Sequence, residues 1–160
     1  MHATKIWPPE RYIPLIEKLL EEKPTHFFFF GGGEKEMAYF DNIKSRFPEH
    51  CTVVAGQLKM RHEIALMNYL DLMLCVDSSN MHLAALTGTQ LLSIWGGTHP
   101  YAGFGPFGYP EKNILQVSRE ELPCRPCSVY GKATCFRGDF ACLNRISVEQ
   151  VAEKINELIS

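Results

Sequence analysis

A parallel β-sheet with α-helices on both faces is the fold class this sequence predicts, and three observations predict it. Short apolar runs alternate with stretches of helical periodicity, the apolar runs stop at glycine or small polar residues, and 160 residues suffice for one such domain but not for two substantial ones. Hydrophobic residues make up 46% and charged residues 21%, the balance of an ordinary globular protein.

The elements follow in order. Pro8-Pro9-Glu10 opens a helix carrying Tyr12, Ile13, Leu15, Ile16, Leu19 and Leu20 at helical spacing, with Pro14 making its first turn irregular and Lys23-Pro24 ending it. Thr25–Phe30 is a continuous apolar run halted by Gly31-Gly32-Gly33, the pattern of a strand buried on both faces. A helix from Glu34 to Arg46 places Met37, Phe40 and Ile43 on one face, shared by Phe47, and Pro48 terminates it. Cys51–Ala55 reads as a strand, Gly56 as a turn, Arg61–Tyr69 as a helix, and Leu72–Val76 as another buried strand. Ser79–Leu86 reads as a helix stopped by Gly88, and Leu91–Trp95 as a strand leading into a Gly/Pro/aromatic loop. Ile114–Val117 adds an edge strand, residues 120–145 form a cysteine-rich loop, and Val148–Ile159 closes the chain as a helix.

A net charge of -2 provides no basic field to gather nucleic acid or anionic lipid, so any phosphate must be bound locally. The Phe27–Phe30 run is far shorter than the roughly 20 residues of a membrane span. No apolar core of a signal peptide precedes Trp7-Pro8-Pro9, so a cytoplasmic location is expected.

Three strand ends carry small or polar residues: Gly31-Gly32-Gly33, Asp77-Ser78-Ser79-Asn80 and Gly96-Gly97-Thr98. In a parallel sheet these loops share one rim, the place where ligands bind. A phosphate beyond Val76 would meet the amides of Ser79, Asn80 and Met81 at a helix N-terminus, with hydroxyls from Ser78 and Ser79 and a ring donor from His82. The competing reading is that Asp77 and Ser79 cap the helix and His82 packs on the sheet. Glycines 31–33 match neither a dinucleotide fingerprint nor a Walker loop; they would admit close backbone approach, with Glu34 or Glu36 accepting from a ribose. Cys124, Cys127, Cys135 and Cys142 could form a structural zinc site, two disulfides or free thiols, while Cys51 and Cys75 belong to the core. No Asp-x-Asp, nucleophile elbow or His-Glu-x-x-His helix occurs.

Lys5-x-Trp7-Pro8, the Gly-Gly-Gly strand end, Asp77-Ser78-Ser79-Asn80-Met81-His82-Leu83-Ala84-Ala85 and Gly96-Gly97-Thr98-His99-Pro100, in that order, resemble the C-terminal half of glycosyltransferase family 9, the ADP-heptose:lipopolysaccharide heptosyltransferases. The resemblance runs over essentially the whole chain and includes the cysteine tail. It implies a Rossmann-like donor domain, one half of a GT-B enzyme whose acceptor domain and catalytic carboxylate base lie outside residues 1–160, and whose first strand would precede Met1. By motif, Lys5 contacts the diphosphate or sugar, Glu36, ahead of Glu34, the ribose, and Leu58 packs beside adenine. Gly32, Asp77, Ser78, Ser79, His82 and Thr98 complete the donor site, with ADP-heptose the implied donor and a lipopolysaccharide core the implied acceptor. No cofactor is required on this reading, and the protein would be peripheral to the inner membrane. Ser78-Ser79 replace the usual Thr-Gly, which puts a side chain at Ser79 where backbone would approach phosphate. Two rivals come from other classes: a non-catalytic nucleotide-binding module and a zinc-stabilised interaction domain.

Overall fold

The computed structural model describes residues 2–160. A 3-10 turn at Pro9–Arg11 leads into α1 (Tyr12–Glu22), and Pro14 sits in the first turn of α1, where a missing N–H leaves no helical bond unmade. Then come β1 (Phe27–Phe29), α2 (Glu34–Arg46), β2 (Cys51–Val53), α3 (Met60–Met67), β3 (Met73–Val76), α4 (Ser79–Thr87), β4 (Leu91–Trp95), β5 (Ile114–Gln116), α5 (Ala141–Asn144) and α6 (Val148–Ile159). Gly88 takes the left-handed conformation that ends α4, at φ 75°. Ser147 and Gln150 form a reciprocal capping box that starts α6.

Every strand pair is parallel, as the alternation of elements requires, with Phe27 opposite Cys51, Met73 opposite Leu91 and Ser93 opposite Ile114. The hydrogen bonds nevertheless divide the strands into two ladders, β1-β2 and β3-β4-β5, instead of one continuous sheet. Burial follows that division. β4, paired on both sides, is buried at all of its residues, whereas β1 has a single partner and is half-buried throughout. The Phe27–Phe30 run is therefore not the doubly buried strand its composition suggests, and the strand itself is confined to Phe27–Phe29. Phe30, just past β1, packs against the cluster that holds Met73 and Cys75 of β3, so the two ladders are neighbours.

Two apolar clusters sandwich the β3-β4-β5 ladder. One gathers Trp7, Leu15, Leu19, Leu92, Ile94, Leu143, Val151 and Ile155, joining α1, α5 and α6 to the sheet. The other gathers Met67, Met73, Cys75, Met81, Leu91 and Trp95 beneath α3 and α4. Each fully buried Leu or Ile contributes about 1.5–3 kcal/mol. Residues 120–145 are not all loop: Cys142 lies in α5, whose Ala141, Cys142 and Leu143 are buried. Among the described residues no helix is long and apolar enough to cross a membrane.

Candidate functional site

The turn from β3 into α4 sets Asp77 and Ser78 ahead of the helix. Ser78 is the extended N-cap residue, yet among the described residues no side chain caps α4. The capping role considered for Asp77 and Ser79 is thus not the one they play. The first amides of α4 stay free of side-chain acceptors, and Ser79 and His82 are both exposed at that end. His82 does not pack on the sheet; Met81, its neighbour, does.

Asp77 faces inward instead. It is 3% exposed, and its Oδ2 accepts from Lys5 Nζ at 2.9 Å and from the Thr98 hydroxyl at 2.8 Å. Three separate segments therefore meet at one carboxylate oxygen. An ammonium has three N–H donors; Asp77 takes one, which leaves others for an anion. A buried carboxylate requires partners of this kind, because removing it from water unpaired is costly.

Lys5 reaches Asp77 because the N-terminal arm is anchored on both sides. Trp7 is fully buried, meets Tyr12 edge-on at 5.1 Å and donates its indole N–H to the Ile146 carbonyl at 3.0 Å. Arg11 donates to the carbonyls of Ile146 and Asn144. Thr4 accepts the Gly97 N–H on its carbonyl at 2.8 Å, and its hydroxyl accepts the Lys132 N–H at 2.8 Å. The glycines of the β4 loop make this contact possible: a Cβ on Gly96 would lie 2.4 Å from the Thr4 carbonyl oxygen, and one on Gly97 would lie 2.9 Å from Cys127 Sγ. Those two glycines admit another stretch of the chain.

The remaining expected residues fall apart from this cluster. Gly32 donates its N–H to Glu36 Oε2 at 3.0 Å, so the carboxylate read as a ribose acceptor closes the glycine loop that follows β1. Leu58 is 39% exposed in the connection after β2. Among the described residues no hydrogen bond joins Gly32, Glu36 or Leu58 to Lys5, Asp77 or Thr98.

The four late cysteines lie near enough for the Cys142 thiol to feel Cys127, Cys135 and Cys124. All six cysteines of the chain are free, so the disulfide alternative does not hold. Among the described residues no three His, Cys, Asp or Glu side chains form a set arranged to hold a metal. Cys142 is in the core, where burial pushes its thiol up to about 11, while Cys127 Sγ lies 3.6 Å from the Gly97 carbonyl oxygen. At Cys135 burial acts upward, but N–H donors from Phe140, Arg137 and Gly138 outweigh it and hold the thiol below its usual value.

Sequence reasoning missed Thr4 and Arg125. Arg125 is 3% exposed behind the Gly96–Thr98 loop, where burial lowers its pKa. Proximity to Lys5 was the one available signal for Thr4. Nothing in the spacing marks Arg125, since its partners are backbone carbonyls and one glutamine.

Comparison with known proteins matches both the motif order and the fold. Lipooligosaccharide heptosyltransferase 2 of Haemophilus influenzae is 26% identical over 161 residues, an alignment covering 98% of this chain and 44% of that protein. The chain thus spans less than half the length of that curated relative. Among solved structures, ADP-heptose lps heptosyltransferase II of E. coli superposes with a TM-score of 0.73 at 19% identity, over 99% of this chain and 43% of the other. E. coli heptosyltransferase WaaC with ADP gives a TM-score of 0.70 at 17% identity, over 99% and 41%. These likenesses establish the fold, the Rossmann-like α/β architecture of the C-terminal part of a GT-B protein. The sequence pattern of glycosyltransferase family 9 (heptosyltransferase) matches residues 1–134, which include the Lys5 arm, the Asp77 turn and the Thr98 loop, and so this chain belongs to glycosyltransferase family 9.

Proposed function

We propose that the protein binds the diphosphate of a nucleotide sugar, ADP-heptose by analogy with its relatives, on the rim formed by Lys5, Ser78, Ser79, His82 and the first amides of α4. The observation that carries this reading is the Lys5–Asp77–Thr98 cluster beside an uncapped helix N-terminus. A cation whose position is fixed from behind and a set of free amides are the two features a diphosphate needs. Asp77 is a positioning residue on this view. A carboxylate would repel phosphate, and its Oδ2 is engaged with Lys5 and Thr98.

The chemistry is an inverting transfer. An acceptor hydroxyl of a lipopolysaccharide core attacks the anomeric carbon, the bond from that carbon to the diphosphate oxygen breaks, and the nucleoside diphosphate leaves with the bonding electron pair. Lys5, His82 and the α4 amides stabilise the growing charge in the role a metal ion fills elsewhere. The base that takes the hydroxyl proton belongs to an acceptor domain outside residues 1–160. β1 and β3 each have one hydrogen-bonded neighbour, and Phe30, just past β1, packs on the cluster beneath β3, so the glycine loop after β1 lies on the same side of the molecule as the Asp77 turn. Glu36, Gly32 and Leu58 would serve the ribose and base once a nucleotide bridges from β3 toward β1.

Transfer from ADP-heptose by a protein carrying both domains, assayed in EDTA, tests the chemistry. Retained turnover and an inverted anomeric configuration in the product support it; turnover that depends on added divalent cation overturns the metal-independent mechanism.

A further inference from the structure

We infer that Arg125 is a positioning residue for the donor site, acting through the Gly96–Thr98 loop on Lys5; the inference rests on the proposed reading of that site. Arg125 is 3% exposed and has no carboxylate partner among the described residues. Its guanidinium is satisfied by the chain itself. Nε donates to the Gly96 carbonyl at 2.6 Å, Nη2 to the Thr98 carbonyl at 3.2 Å and to Gln116 Oε1 at 3.0 Å, and Nη1 to the Val117 carbonyl. One rigid fork thus ties both ends of the β4 loop to the end of β5. Burying a cation without a counter-charge is costly, and so many carbonyls aimed at one guanidinium mean that the local backbone is held in a single arrangement.

From that loop two routes lead to Lys5. The side-chain route runs from Thr98, whose hydroxyl donates to Asp77 Oδ2, to Lys5 Nζ on the same oxygen. The backbone route runs from Gly97, whose N–H donates to the Thr4 carbonyl, to the residue that precedes Lys5. The segment carrying Arg125 closes the other side of the loop, since the N–H groups of Cys127 and Ser128 donate to the Gly97 carbonyl at 3.0 and 3.2 Å. Gly96, Gly97 and Thr98 are therefore gripped from in front by Thr4 and Asp77 and from behind by residues 125–128. Arg125 touches neither phosphate nor sugar. It fixes the geometry of the ammonium that does.

Lysine at this position retains the charge but not the fork, so Arg125→Lys is the informative variant. Two measurements on the full chain separate the parts of the inference. Amide exchange, followed by NMR without nucleotide, is expected to speed up at least about tenfold at Gly97, Cys127 and Ser128 while Val151 and Ile155 in α6 are unchanged. Titration calorimetry with ADP is expected to show about tenfold weaker binding in Arg125→Lys, an effect that shrinks below about twofold when Lys5→Ala is already present. Unchanged exchange at the three amides overturns the inference, as does an affinity loss of equal size with and without Lys5. Should Arg125→Lys fail to fold, Gln116→Leu removes one acceptor of the fork and is expected to speed exchange at the same amides, by a smaller factor; no change there overturns the inference equally. A folded wild-type chain that binds no ADP refutes the donor reading and with it any role of Arg125 in a donor site, whatever the exchange data show about the loop.

Discussion

Lys5 and Asp77, distant in sequence, meet with Nζ 2.9 Å from Oδ2, and the carboxylate of this pair is almost wholly buried while the ammonium keeps partial access to solvent. That asymmetry lets the pair serve as a site. The buried carboxylate fixes the direction of the cation, and the exposed side of the cation is left for an anion.

Removing either partner leaves the other unmatched. Lys5→Ala strands a buried carboxylate on the Thr98 hydroxyl alone, and we expect a loss of about 1–3 kcal/mol, less than for a fully buried pair because Lys5 is partly solvated. Asp77→Asn is expected to lose a similar amount, and Lys5→Ala with Asp77→Asn together less than the sum. Urea unfolding of the four proteins checks this; strictly additive losses contradict it.

The glycines of the rim separate into two kinds. Gly96→Ala forces a Cβ to within 2.4 Å of the Thr4 carbonyl oxygen and 2.7 Å of Leu143 Cγ, so a destabilisation of about 1–3 kcal/mol is expected together with a displaced Lys5 arm. Gly32→Ala meets no atom within 4 Å and should change stability by less than about 1 kcal/mol. Thermal unfolding distinguishes them, and equal effects at the two positions would count against close packing as the reason for Gly96.

The cysteines differ in reactivity for reasons the structure supplies. N–H donors around Cys135 favour its thiolate, whereas burial pushes Cys75 up to about 12 and Cys142 up to about 11. Brief iodoacetamide treatment near neutral pH should modify Cys135 well before Cys75 and Cys142, as read by peptide mass spectrometry. Modification of Cys75 first would contradict the assigned burial.

His99 makes part of the loop sensitive to pH. Burial, with the nearby charges of Arg125 and Arg119, lowers its pKa below the ordinary 6.5, and its Nδ1 accepts the Tyr101 N–H at 3.2 Å. A base with a depressed folded pKa favours the native state while neutral. Its contribution is complete above about pH 6.5 and is lost as pH falls through the lower folded value. His99→Asn keeps an acceptor for the Tyr101 N–H without titrating, so the wild type should lose more thermal stability than this variant between pH 8 and pH 5.

The strongest periodic elements were legible in the sequence, and the site was legible in part. β4 runs as its continuous apolar pattern indicates because it is paired on both sides and buried throughout, and α6 because its apolar spacing and its capping box are local. β1 was misjudged because four consecutive phenylalanines describe composition, whereas burial depends on how many neighbours a strand has, and β1 has one. Asp77 and Lys5 were each expected at the rim, but their contact was not, since a pairing between segments so far apart leaves no spacing to read. Arg125 was invisible for the same reason in stronger form: its acceptors are mostly main-chain carbonyls, which every residue carries. The cysteine spacing left zinc, disulfides and free thiols open because it fixes which thiols are near one another, not their chemical state; all six are free thiols in the structure.

Titration of the folded chain with ADP in EDTA, alongside His82→Ala, tests the central claim most directly. The account predicts saturable binding without divalent cation and a several-fold weaker affinity in His82→Ala, whose ring stands exposed at the start of α4. A folded wild type that shows no binding up to millimolar ADP, or binds equally well after His82→Ala and Lys5→Ala, would contradict it.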